Sequence, residues 1–205
     1  MKNRLEISDL SLAYGKRTIL EHISFTLAAG EAVALCGENG SGKTTLLTAA
    51  AGILRPTHGK IRRSGKVGYV PQSAALLEDM TFADNLRYFS AIARARVPQV
   101  LPLCADELRP MRVRDMSGGM KKLCSIVCTL VAAPDILLLD EPYAALDEAH
   151  AAMLTDYLGD FLQNGGSLLI AAHDADEYLP LTSRRLLLTD GSMREETLTR
   201  AEAPV

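Results

Sequence analysis

A short run of apolar residues, Ala32-Val33-Ala34-Leu35-Cys36, ends abruptly in Gly37-Glu38-Asn39-Gly40-Ser41-Gly42-Lys43-Thr44. Five consecutive apolar residues suit a strand buried on both faces, as in a parallel sheet. The eight residues after it fit the pattern G-x-x-x-x-G-K-[ST]. Glycines at these places let the backbone bend and bring its N–H groups close to phosphate oxygens. The start of the helix that follows adds a favourable dipole. In this reading Lys43 reaches the β and γ phosphates of a nucleotide and the Thr44 hydroxyl ligates Mg²⁺. Strand, loop and helix in this order point to an α/β architecture.

The rest of the chain alternates in the same way. Residues 5–7 and 10–12 alternate apolar and polar and read as a strand; Ile23, Phe25 and Leu27 alternate again. A helix is expected over 43–52 and a short strand over 66–70. Between 73 and 116, Leu76, Leu77, Met80, Phe82, Leu86, Phe89 and Ile92 recur at mostly helical spacing. Pro98, Pro102 and Pro110 cut that stretch into short pieces, so a small helical insert is expected. The core pattern resumes with a helix over 119–132, a strand over 136–139, a helix over 147–163 and a buried strand over 168–172. A last strand over 186–188 turns at Asp190-Gly191. The sum is an α/β fold with a mostly parallel sheet.

Composition excludes several other classes. The 205 residues are 48% hydrophobic and 23% charged, enough to build a core rather than a disordered chain. A net charge of -3 leaves no basic footprint, so nucleic acid is not an expected partner. The longest apolar stretch, 123–133, contains Ser125 and Thr129 and stops at Pro134. Roughly 20 apolar residues are needed to cross a membrane. No signal peptide is read in the first ten residues. Cys36, Cys104, Cys124 and Cys128 lack the spacing of a disulfide framework and are expected reduced. Cys124 and Cys128, four apart, are expected to be buried, inert thiols on one helix face.

Leu137-Leu138-Leu139-Asp140-Glu141 places two carboxylates at the end of a buried strand, where ligands sit in an open α/β sheet. Asp140 can hold part of a Mg²⁺ shell, and Glu141 can orient or deprotonate a water. Alone, the pair would suit a simple cap beyond a core strand equally well. Ser117 ahead of Gly118-Gly119 reads as a helix N-cap with free N–H groups for an anion, or as a plain cap and turn.

The order of the pieces decides between these readings. The loop 37–44, Val70-Pro71-Gln72, Ser117-Gly118-Gly119, Leu138-Leu139-Asp140-Glu141-Pro142, Ala145-Leu146-Asp147 and an isolated His173 follow one another along the chain. Together they resemble the nucleotide-binding subunit of ABC transporters, from Tyr14 to about Gly191. The resemblance implies a P-loop NTPase (RecA-like) core with a mostly parallel sheet, an N-terminal antiparallel β-subdomain and a small inserted α-helical subdomain. One domain over 1–205 is implied, with its core at 1–72 and 134–205 and the helical subdomain at about 73–133. It implies that Tyr14 stacks on adenine. Gly37, Glu38, Asn39, Gly40, Ser41, Gly42, Lys43 and Thr44, with Thr45 adjacent, match the Walker A loop around ATP. Gln72 matches the Q-loop glutamine, which senses Mg²⁺ and the membrane partner. Ser117, Gly118 and Gly119 match the signature that binds the γ-phosphate held by another subunit. Asp140 and Glu141 match Walker B and the catalytic glutamate, Asp147 the D-loop, and His173 the switch histidine. Catalysis is thus expected of Glu141, His173 and Gln72, and Mg²⁺ of Thr44, Gln72 and Asp140. His22, His58 and His150 match no motif and read as surface or packing residues.

The resemblance also implies partners: a separate transmembrane permease, and a second copy or homologue in a head-to-tail dimer that closes on ATP. The implied location is cytoplasmic, peripheral on the cytoplasmic face of the membrane. Met120, where Gln is usual, and the segment 77–86 resemble ABC-2 type exporters. The short chain also suits a haem-exporter type of subunit. A non-transport ABC ATPase would usually carry two cassettes or long coiled-coil inserts. Ala144-Ala145 stands where Ser is common, and Tyr143 where Thr is common.

Overall fold

Runs of consecutive apolar residues become the central strands. The computed structural model describes residues 2–172, 181–182 and 184–197. Its strands are β1 (Asn3–Tyr14), β2 (Arg17–Ala28), β3 (Ala32–Cys36), β4 (His58–Arg63), β5 (Val67–Val70), β6 (Ile136–Asp140), β7 (Ser167–Ala171), β8 (Arg184–Thr189) and β9 (Ser192–Thr197). Its α-helices are α1 (Lys43–Ala51), α2 (Phe82–Ala93), α3 (Gly118–Leu130) and α4 (Glu148–Gln163). Single 3-10 turns form at Ala105–Leu108 and Val113–Asp115.

Two sheets result. The larger runs β5-β6-β7-β3-β8-β9, parallel throughout except for the β8–β9 hairpin. The smaller, β2-β1-β4, is antiparallel. β3, β6 and β7 are buried at every residue because both faces of the large sheet are covered. The period of two splits their side chains between two cores. Ile136, Leu138 and Leu169 face the small sheet and α1, meeting Leu5, Ile7, Leu10, Leu46 and Leu47. Leu137, Leu139, Leu168 and Ile170 face the other way, toward Phe82, Leu86, Leu123, Ile126, Leu154 and Leu158. The insert between β5 and β6 therefore shares a core with the sheet. Each fully buried Leu or Ile contributes about 1.5–3 kcal/mol.

Two local features differ from the sequence expectation. β4 was not foreseen, because His58-Gly59-Lys60-Ile61-Arg62-Arg63 is a polar edge strand with one apolar residue. The helical spacing over 76–92 becomes a helix only from Phe82. Thr81 caps it by accepting from Asp84 N, and Ile92 ends up 64% exposed. As expected from the prolines, residues 95–117 form loops and the two short 3-10 turns rather than α-helix. Cys124 and Cys128 are buried, which pushes each thiol up to about 12, whereas Cys104 is exposed.

Candidate active site

The register of the large sheet lines up one edge. Asp140 pairs with Ala171, and Ala171 with Leu35, so the ends of β6, β7 and β3 lie side by side. Asp140 and the start of the glycine loop are thus two strand spacings apart, about 10 Å. The loop bends sharply as it leaves β3: Gly37 has φ 149°, and a Cβ there would lie 2.5 Å from Leu188 O. Only glycine fits. Gly42 then starts α1, whose first turn carries Lys43, Thr44 and Thr45. Glu38, Asn39 and Gly40 form the exposed crest of the loop. Lys43 is buried along its stem, and its ammonium donates to Gly37 O (2.6 Å) and Glu38 O (3.1 Å), curling over the loop. Among the described residues the buried Ser41 hydroxyl has no partner. An unpaired hydroxyl and an ammonium beside a nest of N–H groups is an arrangement that receives an anion.

α1 closes the gap between the two strand ends. Thr44 Oγ1 donates to Asp140 Oδ2 at 2.7 Å. Asp140 is almost fully buried, and burial raises its carboxyl above the ordinary value. The Thr44 bond, Lys122 and Lys43 oppose that rise, while neighbouring Glu141 adds to it. Glu141 sits in the left-handed region at φ 48°, a strained conformation for a non-glycine residue. Its N–H donates to Ala171 O (3.0 Å), and its carboxylate accepts from Gln72 Nε2 (2.9 Å). The structure therefore brings Gln72, Thr44, Asp140 and Glu141 to one end of the sheet. Tyr14, at the end of β1, is 55% exposed, with its ring available rather than used in the core.

The remaining motif residues gather elsewhere. Ser117 caps α3 by accepting from Met120 N at 3.2 Å. Ser117, Gly119 and Asp147 line a cavity of about 370 Å³, apart from the groove beside Gly37–Ser41. A Cβ on Gly119 would lie 2.5 Å from Ala145 O, so the signature turn and the turn before α4 touch backbone to backbone. Asp147 caps α4, accepting from the N–H of His150 at 2.9 Å and from its ring Nδ1 at 2.7 Å. His173 lies outside the described residues.

Two features escaped sequence reasoning. Lys122 is buried and bonded to three backbone carbonyls at the site, and no motif of the sequence assigns it a role. On the small sheet, Asp9 takes His22 Nδ1 (2.7 Å) and His58 Nε2 (3.1 Å) on its two oxygens. No spacing rule links residues that a β-bulge and a cross-strand pair bring together.

The fold, with its glycine loop between β3 and α1, is that of a P-loop nucleoside triphosphatase. The ABC transporter family matches residues 20–144. The Nod factor export ATP-binding protein I of Paraburkholderia xenovorans is 34% identical over 91% of this chain and 68% of its own length. The cytochrome c biogenesis ATP-binding export protein CcmA of Ruegeria pomeroyi is 36% identical over 82% of this chain and 84% of its own. A zinc import ATP-binding protein of Roseobacter denitrificans is 33% identical over 90% and 74%. Among solved structures, an ATP-binding subunit of an ABC transporter superposes with a TM-score of 0.84, at 27% identity over 95% of this chain and 90% of that one. The chain belongs to the ABC transporter family; it is an ATP-binding subunit, and its activity is ATP hydrolysis.

Proposed function

We propose that the chain hydrolyses ATP with Mg²⁺ in a head-to-tail dimer and drives a separate membrane permease of the ABC-2 export type. The observation that carries the catalytic part is the Thr44–Asp140 contact beside the Gln72–Glu141 pair. The residues present fit a divalent cation. A hydroxyl and a carboxylate are hard oxygen donors, and Asp140 is a buried acid that calls for positive charge. Among the described residues no cluster of three or more His, Cys, Asp or Glu could hold a metal alone, so phosphate oxygens and water would complete the shell. Thr44 and Asp140 would hold the ion with help from Gln72, and when bound it neutralises charge on the β and γ phosphates.

The chain's own groups do the rest. Loop N–H groups and Lys43 bind the phosphates, and Ser41 adds a donor. Tyr14 stacks on adenine. Glu141, steadied by Gln72, orients the attacking water and takes its proton, with His173 assigned to the γ-phosphate. The signature turn and Asp147 line a different cavity from the phosphate loop, which supports a site completed by the signature of another copy. A triphosphate bridging the copies would hold them closed, and hydrolysis would release them.

Export is supported by Met120 and the 77–86 segment, and by the Nod factor relative. A haem-export role is a second reading, favoured by the similarity to the cytochrome c biogenesis protein. In either case the chain sits on the cytoplasmic face, held by its permease; no helix among the described residues is long and apolar enough to cross a membrane. The decisive experiment is Glu141→Gln in purified protein. Its kcat should fall about 10²–10⁴-fold while ATP binding persists and ATP-dependent dimers accumulate. Unchanged turnover would remove Glu141 from the mechanism. The co-purifying membrane protein separates the two transport readings.

A further inference from the structure

Lys122 lies in the second turn of α3, five residues beyond Ser117, and its side chain turns inward until the residue is only 4% exposed. Its ammonium donates to Gln72 O at 2.7 Å, Pro71 O at 3.2 Å and Asp140 O at 3.3 Å. Three donors meet three carbonyls, which is how a buried cation is made tolerable. The partners come from two separate places, the loop after β5 and the last residue of β6. The first is the backbone of the residue whose amide holds Glu141; the second is the residue before Glu141. The neighbouring Lys121 turns the other way and pairs with Glu78 at 3.0 Å.

We infer that Lys122 is a positioning residue for hydrolysis: from the signature helix it grips the Gln72 and Asp140 carbonyls and so aims the Gln72–Glu141 pair. The inference rests on the reading of Glu141 as the group that handles water. It gives α3 a direct line to the catalytic pair, through one side chain and without any ligand between. A shift of the signature turn on contact with a second copy would move Lys122, and with it the Gln72 carbonyl.

The test is Lys122→Met, which keeps the stem and removes the donors. Its kcat for ATP should fall about 5–20-fold, with KM and ATP affinity within about twofold of the parent. Lys121→Met serves as the neighbour control and should keep its kcat. If Lys122 acts through Gln72, the double variant Lys122→Met/Gln72→Ala should match Gln72→Ala alone within about twofold, because the two changes strike one linkage. Should Lys122→Met fail to fold, Lys122→Gln keeps a short polar donor in the same space and is read for the same split. An unchanged kcat, or losses that multiply in the double variant, overturns the inference. Glu141→Gln, run alongside, separates the failures. If it retains full turnover, the reading of the site is wrong; if it is inactive while Lys122→Met is fully active, only the role of Lys122 falls.

Discussion

Thr44 and Asp140 stand 96 residues apart in the chain, yet the hydroxyl of one donates to the carboxylate of the other at 2.7 Å. The bond joins the first turn of α1 to the end of β6 across the intervening β7. It sets a hydroxyl and a carboxylate side by side at the rim of the glycine loop.

Thr44→Val retains the branched shape and loses the hydroxyl. Mg²⁺-dependent ATP turnover should drop about 100-fold, a loss of about 2.7 kcal/mol of transition-state stabilisation. Nucleotide binding in EDTA should change little. Turnover measured across a Mg²⁺ titration checks both.

Asp140→Asn removes a carboxylate whose proton affinity burial has raised. A carboxyl raised in the folded state weakens folding once pH exceeds its unfolded value of 3.8. The nucleotide-free variant should therefore melt at a higher temperature than the parent at neutral pH while losing its ATPase. Calorimetry with and without Mg²⁺-nucleotide decides, since the ligand should stabilise the parent far more than the variant.

Tyr14 is exposed, so trimming it costs little stability. Tyr14→Ala should weaken ATP binding about tenfold, within the range of a base–aromatic stack, with an unchanged melting temperature. Tyr14→Phe, which keeps the ring, should bind as the parent does. Equilibrium titration with a fluorescent ATP analogue reads the difference.

Gly119→Ala drives a methyl group against the Ala145 carbonyl, 2.5 Å away, and backbone must yield. A loss of about 1–3 kcal/mol in denaturant unfolding is expected, together with a displaced turn before Asp147 and reduced ATPase. Gly118→Ala meets the Ala145 side chain at 3.4 Å, an ordinary contact, and should be far milder.

Asp9 and His22 form a pair whose pH behaviour has a definite sign. The hydrogen bond to Asp9 raises the His22 pKa above 6.5, and the bond to His22 lowers the Asp9 pKa below 3.8. The His22 contribution is complete below pH 6.5 and is lost as pH rises through its raised value. The Asp9 contribution is complete above 3.8 and is lost as pH falls through its lowered value. NMR titration should place the His22 midpoint above 6.5 in the parent and lower it in Asp9→Asn. The variant should also lose the small gain in denaturation midpoint between about pH 8 and about pH 6.

Much of the fold was legible because its strands are buried on both faces and therefore written as unbroken apolar runs, as at 32–36 and 136–139. The phosphate loop was legible because its glycines answer to local backbone geometry, as the 149° φ of Gly37 shows. β4 was not, since an edge strand needs no apolar signature. Lys122 was not, because a lysine in sequence is indistinguishable from its half-buried neighbour Lys121; only the fold turns one fully inward and lets the other reach Glu78 at the rim.

The sequence by itself determined which chemistry the chain carries. Lys43, Thr44, Asp140 and Glu141 are set in short motifs whose spacing is local, and local spacing is fixed by covalent structure. The tertiary structure alone decided which of these groups meet. Thr44 reaches Asp140, Gln72 reaches Glu141, and Lys122 reaches both strand ends, because sheet order and register, set by burial of two apolar faces, bring distant residues within hydrogen-bond range.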